Sequence, residues 1–408
     1  MHIGPILAAL RRHRTAAALI ILEIAFTCAI VCNALALIGE RLDRMQRPSG
    51  IAESELLRIQ VANIGSTDDA AALSEQTLAA LAALPGVRKV ATSLWLPYGR
   101  SRRVAGVQRT PDAPSELTFP AARYPGSPGL LDTLGVQLVA GRDFRRDEYI
   151  DEQTARRTQG GPVIITRALA ERLWPGQSAL GQTLYLDARY AHNLPLQVVG
   201  ILERLVSPGE RDFIDSDYEL SIVTPIREEG AENFVLRVDA QRRAEVLAAA
   251  VAELERGGHR RVILSQQTLE EMRAHYYATD RAMAWLLLGV SAALLVITAL
   301  GIVGLASFWV QQRTRQIGIR RALGATRGQI RRYFQAENLL LTTLGSALGM
   351  LLAYGINLLL MERYPIGRLP GQFLPAGALS LWLLGQLAVL GPARRAAAVP
   401  PAVATRTV

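Results

Sequence analysis

Arg313-Thr-Arg-Gln-Ile-Gly-Ile-Arg-Arg-Ala-Leu-Gly-Ala-Thr-Arg-Gly-Gln-Ile-Arg-Arg332 carries seven arginines and no acid. It lies between two apolar runs, Met283 to Val310 and about Ala336 to Met361. Each run approaches or exceeds the roughly 20 residues that a helix needs to cross a bilayer. Basic loops stay on the cytoplasmic side, so the stretch reads as a cytoplasmic turn between two membrane helices. Ile319, Leu323, Ile330 and Phe334 can share one apolar stripe among the arginines. Gly324 is a natural helix stop. Thr326 and Gln329 form a T-x-x-Q capping box for a following helix. The expectation is a short amphipathic helix over 315–323, a break at Gly324 and Ala325, and a helix rising into the next span. Periodicity alone leaves two roles open for it: a basic helix resting on anionic lipid, or a docking surface for a cytoplasmic protein.

Working outward, a first apolar run spans Thr15 to Ile38 and a fourth spans roughly Phe373 to Leu390. The net charge of +9 would by itself suggest nucleic acid. However, Arg11, Arg12 and Arg14 precede the first run, and Arg394, Arg395 and Arg406 follow the last. The basic excess therefore flanks membrane segments and argues against nucleic-acid binding. Four spans with basic loops on one side put both termini in the cytoplasm. The first run is longer than the about 7–15 residues of a signal-peptide core, although Ala34-Leu35-Ala36 resembles a cleavage site. Cys28 and Cys32 stand one helical turn apart, poorly placed to bridge, and read as small apolar filler.

The chain divides on this reading into an N-terminus (1–14), a first span (15–38, the helix extending to about 47) and an outer region (48–267). A stalk helix (268–282), a second span (283–310) and a cytoplasmic loop (311–335) follow. A third span (336–361), an outer hairpin (362–372), a fourth span (373–390) and a cytoplasmic tail (391–408) complete it. In the outer region, Leu57, Ile59 and Val61 alternate with Arg58 and Gln60 as in a half-buried strand. Thr67 can cap a helix through Leu84, with Asp68 and Asp69 at its positive end. Val87–Leu94 reads as the next strand. Asn233–Val238, Gln241–Arg256 and Arg261–Ser265 repeat the β-α-β order. Two such pieces, about 50–98 and 226–267, suggest a split, ferredoxin-like subdomain. The insert between them, about 99–225, holds the strands Val163–Thr166, Thr183–Leu186 and Gln197–Ile201, and reads as a second subdomain. From Thr268 the pattern stays helical to Gln311. That is about 44 residues, or about 66 Å at 1.5 Å per residue, against a bilayer core of about 30 Å. The fold class is thus membrane α-helical, one span plus three, with a large α/β extracytoplasmic domain of two subdomains on a helical stalk.

Single residues carry further expectations. Glu23 is an acid inside the first span, a functional candidate by default. A structural partner is preferred to proton transport. Asn33 is expected to hydrogen-bond to a neighbouring helix or across a dimer. Gly345 and Gly349 make G-x-x-x-G in the third span, and Gly301 and Gly304 add small residues to the second, so close helix packing is expected there. His192 and His275 have no partner at metal spacing, so no metal site is expected. No triad is arranged, and no catalytic site is expected.

The segment 315–325, Arg-Gln-Ile-Gly-Ile-Arg-Arg-Ala-Leu-Gly-Ala, resembles the cytoplasmic signature of FtsX-superfamily ABC transporter permeases, the MacB-like group. Ser127-Pro-Gly-Leu-Leu-Asp-Thr-Leu-Gly-Val136, Leu138-Val-Ala-Gly-Arg-Asp-Phe144, Val163 to Gly176 and Ala179-Leu-Gly-Gln-Thr183 are similar to that family's periplasmic core. Pro392 to Ala397 with Pro400 resembles its tail, loosely. The resemblance implies a homodimer or heterodimer of permeases in the bacterial inner membrane, bound to two ATPase subunits that hold ATP and Mg. It implies that Arg315, Ile317, Gly318, Ile319, Arg320, Arg321, Ala322, Leu323 and Gly324 form the ATPase-coupling element. It also implies mechanical relay of ATPase motion to the outer domain to drive efflux, with a periplasmic adaptor and an outer-membrane channel. An alternative is a mechanical regulator of a cell-wall hydrolase or a lipoprotein. The sequence holds no G-x-x-x-x-G-K-[ST], so hydrolysis is expected from a separate subunit, with no cofactor on this chain.

Overall fold

The computed structural model describes residues 14–63, 70–99, 104–111, 113–158, 160–187, 193–209, 217–227, 233–256, 261–363 and 368–400. Thr67, Asp68, Asp69, His192, Arg11, Arg12 and Arg406 lie outside the described residues, as does part of the 362–372 hairpin. Two compact units result: a helical one from residues 1–46 and 279–408, and an α/β one from Arg47–Ala278.

Along the chain run α1 (Arg14–Gln46), β1 (Leu56–Asn63), α2 (Ala70–Ala82), β2 (Val87–Thr92), β3 (Val104–Gln108), β4 (Phe119–Pro125), α3 (Leu130–Leu134) and β5 (Leu138–Gly141). Next come β6 (Ile150–Asp151), α4 (Glu152–Arg157), β7 (Gly161–Thr166), α5 (Arg167–Leu173), β8 (Thr183–Leu186), β9 (Leu194–Leu202), β10 (Ser221–Thr224) and β11 (Ile226–Arg227). Then follow β12 (Asn233–Val238), α6 (Arg243–Arg256), β13 (Arg261–Thr268), α7 (Leu269–Tyr276), α8 (Ala278–Gln312), α9 (Thr314–Ala322), α10 (Arg327–Arg363) and α11 (Phe373–Ala397).

In the α/β unit, alternation along β1 sends Leu57, Ile59 and Val61 to one face, where they meet Phe234, Leu236 and Val238 of β12 and Leu81, Val246 and Ala250 from α2 and α6. The sheet order is β13-β1-β12-β2, antiparallel throughout, which is the ferredoxin-like arrangement of two split β-α-β pieces. The insert builds a sheet of order β5-β9-β7-β10-β4-β3-β8. β8 also pairs with β9 through Thr183↔Gln197 to Leu186↔Leu194, so six strands close into a ring, with β5 continuing the outer edge of β9. Val107, Ile165, Val198 and Ile222 fill it, with Trp174 at 2% exposure. Closure removes the strand edges that an open sheet would present.

Among the described residues, four helices are long and apolar enough to cross a membrane: α1, α8, α10 and α11. Half of the apolar window of α1 is buried inside the unit, against 17% for α8. α10 crosses α1 at glycines. A Cβ on Gly349 would stand 2.5 Å from Cys28 Cβ and 2.6 Å from the Ala25 carbonyl oxygen, and one on Gly345 would stand 2.7 Å from Ile24 Cβ. Close backbone approach is what small residues allow where lipid removes the hydrophobic drive between helices. A Cβ on Gly301 would meet the Glu23 carboxylate at 2.8 Å, so Glu23 faces α8. Nothing lies within 4 Å of a Cβ on Gly304. Asn33 Nδ2 donates to the Ala29 carbonyl of its own helix at 2.9 Å and to Ala353 of α10 at 3.5 Å. The Cys28 and Cys32 sulfurs are 3.9 Å apart and unbridged. At the far end of α1, Arg41 pairs with Asp280 of α8 at 2.6 Å, the Asp280 side chain being 3% exposed.

Two expectations are corrected. The helix from Thr268 does not run unbroken to Gln311. Thr268 caps α7 through a capping box with Glu271, but α7 stops at Tyr276, and Tyr277 adopts φ −89°, ψ 8° before α8 begins. Tyr277 is 2% exposed and its ring packs edge-on against Tyr98 and Tyr276. Burial of that ring holds the backbone in the bridge region between the helical and extended wells. The last helix also outlasts Leu390. α11 continues through Pro392 to Ala397 because Ala393, Ala396 and Ala397 are buried against the 311–335 segment.

Candidate functional site

The 311–335 segment is built from sequence-local devices. α8 ends at Gln312, and Arg313 at φ −101°, ψ 7° turns the chain. α9 follows for nine residues. Its end carries paired bonds, Ala325 N–H to Arg320 C=O at 3.0 Å and Gly324 N–H to Arg321 C=O at 3.2 Å. Gly324 sits at φ +97°, as this Schellman ending requires and as only glycine adopts without strain. The Thr326 hydroxyl then accepts from Gln329 N–H at 3.2 Å, while Gln329 Oε1 accepts from Thr326 N–H at 2.8 Å. This capping box starts α10 two residues after the stop.

The two faces of α9 differ. Inward, Ile317 and Gly318 are buried against Val310, Ile330, Phe334 and the alanines of α11. Arg321 donates to the Ala397 carbonyl at 2.6 Å, a cation on the negative end of α11. Outward, Ile319 is 45% and Leu323 83% exposed, and Arg315, Arg320, Ala322 and Gly324 are exposed with them. The expected single stripe is therefore split. Ile330 and Phe334 turn inward with Ile317, while Ile319 and Leu323 point away, because the break at Gly324 lets α9 and α10 present different faces. Ile317 and Gly318 belong to the support of the element and not to its outer surface. A cleft of about 160 Å³ lies beside it, lined by Arg313, Gln316, Arg320 and Tyr333 among others, with Arg320 5.1 Å from the Tyr333 ring centroid.

Sequence reading missed what fastens this element. Glu337 of α10 accepts from Arg313 at 3.0 and 3.1 Å, with the two side chains 2% and 13% exposed. Arg313 also lies 5.5 Å from the Trp309 ring centroid. Breaking one side of such a buried pair costs about 3–5 kcal/mol. The pair thus ties the end of α8 to α10 beside α9. The signal was present: Glu337 is the only acid between Asp280 and Glu362, opposite seven loop arginines. Among the described residues no group of His, Cys, Asp and Glu could hold a metal.

Residues 16–254 match the MacB-like periplasmic core domain family, and residues 288–401 match the FtsX-like permease C-terminal family. The uncharacterized ABC transporter permease YknZ of Bacillus subtilis is 24% identical over 68% of this chain and 68% of its own length. The probable syringafactin export ATP-binding/permease protein SyfD of Pseudomonas syringae is 26% identical over 74% of this chain and 43% of its own. The macrolide export ATP-binding/permease protein MacB of Chromobacterium violaceum is 25% identical over 65% of this chain and 40% of its own. The chain thus spans about two fifths of these two ATP-binding/permease relatives. Among solved structures, the periplasmic region of MacB from Actinobacillus actinomycetemcomitans covers 57% of this chain at 11% identity and a TM-score of 0.32.

Proposed function

The chain belongs to the ABC transporter permeases of the MacB and FtsX type, and from that premise we propose that it relays the motion of a separate cytoplasmic ATPase to its α/β unit to drive efflux. Two ATPase subunits supply ATP and Mg chemistry, and a second permease protomer completes the dimer. A periplasmic adaptor and an outer-membrane channel carry cargo onward. Both termini and the 311–335 segment face the cytoplasm, and the α/β unit faces the periplasm. The relatives named for macrolide and syringafactin export support the efflux reading.

One observation carries the proposal. α9 offers Ile319 and Leu323 to an outside partner while its other face is fastened to three long helices. A patch that is apolar, rimmed by arginine and rigidly mounted suits a groove on a protein that pulls. Lipid alone would ask for no such mounting. The contact on this reading is Ile319, Arg320, Ala322 and Leu323, with Arg315 at the rim and Arg321 holding the element from behind. Co-purification of the full chain with its ATPase, followed by ATP turnover, tests it. Ile319→Asp with Leu323→Asp is expected to lower binding at least tenfold while leaving the melting temperature of the permease unchanged. Normal binding and turnover in that variant would sink the docking claim.

A further inference from the structure

The geometry points to a binding site for a small amphiphilic carboxylate in the α/β unit, on the sheet face opposite α2 and α6. Alternation along β1 turns Arg58 and Gln60 away from the aliphatic core. Register brings Asn233 of β12 and Ser265 of β13 beside Gln60. α7 and residues 94–99 rise around these side chains and leave a cavity of about 460 Å³. That is within the range of about 300–1,000 Å³ typical of small-molecule pockets.

The floor of this cavity carries an unanswered charge. Elsewhere in the unit, several partly buried arginines face carboxylates: Arg142 holds Glu148, Arg204 holds Glu219, Arg237 holds Glu55 and Arg273 holds Glu53. Arg58 instead donates to Asn233 Oδ1 at 2.8 Å, to Gln60 Oε1 and weakly to Met272 Sδ at 3.9 Å. Among the described residues, none of the side chains lining the cavity is acidic. Burial pushes the Arg58 guanidinium below its usual pKa. A guanidinium has five N–H donors, so two remain for an incoming anion. The wall supplies the rest of the recognition. Trp95, Leu96 and Met272 give an apolar surface, and the Trp95 indole N–H is buried with no acceptor among the described residues. One arginine matches a monoanion, a planar carboxylate fits its fork, and the wall takes an apolar body.

The site uses nothing from the 311–335 segment, so its test is independent of the docking proposal. The full chain in nanodiscs of zwitterionic lipid is titrated with dansylglycine, and in parallel with its uncharged analogue dansylglycinamide, by fluorescence. Saturable binding of the acid is expected, at least tenfold tighter than that of the amide. Arg58→Gln is expected to remove that tenfold preference, and Arg58→Lys to restore part of it. Gln267→Trp, which fills the cavity from the edge strand directly opposite Arg58, is expected to abolish binding of both. Unchanged melting temperatures certify each fold. Displacement by soluble phenylbutyrate marks a soluble ligand, whereas displacement only by phosphatidylserine added to the discs marks a lipid carboxylate. Equal affinity of wild type and a folded Arg58→Gln variant for dansylglycine, or no saturable binding to wild type, overturns the assignment.

Discussion

The centre of the α/β unit and the centre of the helical unit are made of opposite materials. In the first, large branched and aromatic side chains meet: Leu57, Ile59, Phe234 and Leu236, all fully buried. In the second, the contacts are Gly345 on Ile24, Gly349 on Cys28, Gly385 on Thr342, and a Thr27–Thr298 hydroxyl pair at 2.9 Å. Many large apolar side chains of the helical unit point outward, with Trp285 71%, Leu351 72% and Leu383 66% exposed, while Ile24, Ile302, Trp309, Leu341 and Leu381 fill its interior. The difference teaches what each medium rewards. Water drives bulk apolar surface inward. Lipid is as apolar as leucine, so helices associate through closeness and buried polar contacts.

Matched substitutions probe this contrast from its strongest arm to its weakest. Phe234→Ala should destabilise the α/β unit by about 3–5 kcal/mol through loss of transfer energy plus a cavity. Leu351→Ala, a truncation on an outward face, should leave the helical unit within about 0.5 kcal/mol. Thermal unfolding of the full chain in detergent reads both, and equal losses would break the comparison. Addition should show the reverse order. Gly349→Leu forces α10 off α1 and should cost about 1–3 kcal/mol or more, visible as a lowered melting temperature and lost monodispersity. The smallest effect is electrostatic and confined to the α/β unit. Arg142 grips Glu148 at 2.6 and 2.8 Å and holds its carboxyl below the usual range. A depressed folded pKa adds stability that is complete above the unfolded value of about 4.3 and is lost as pH falls through the folded value. Glu148→Gln should therefore cost about 1 kcal/mol near neutrality, a deficit that shrinks as the melts are repeated at more acid pH.

The same contrast governs how much the sequence could reveal. The strand at 56–63 and its partners were legible because water imposes a period of two on Leu57, Ile59 and Val61. The four apolar helices were legible from length alone. Which helix face packs was not, since lipid-facing and core-facing positions are both apolar, and only the G-x-x-x-G spacing marked one seam. The Gly324 stop and the Thr326–Gln329 box were readable because their chemistry is local. The Arg313–Glu337 bolt joins residues 24 apart, and ring closure through β8 and β9 depends on register, so both escaped local reading. The halt at Tyr277 escaped because tyrosine is an ordinary helix residue until its ring finds Tyr98.

The order of strands in the four-stranded sheet bears on how the chain is made. β1 lies between β12 and β13, and the Arg58–Asn233 bond alone spans 175 residues. During synthesis the ribosome must deliver the entire insert before β1 has either neighbour, at about 5–20 residues per second. For that interval Leu57, Ile59 and Val61 form a sticky ribbon without a lid. The insert, whose ring closes on its own residues, can mature first, and nascent chains arrested so that Thr224 has left the ribosome while Asn233 has not should expose a protease-resistant core beside an unprotected leading strand.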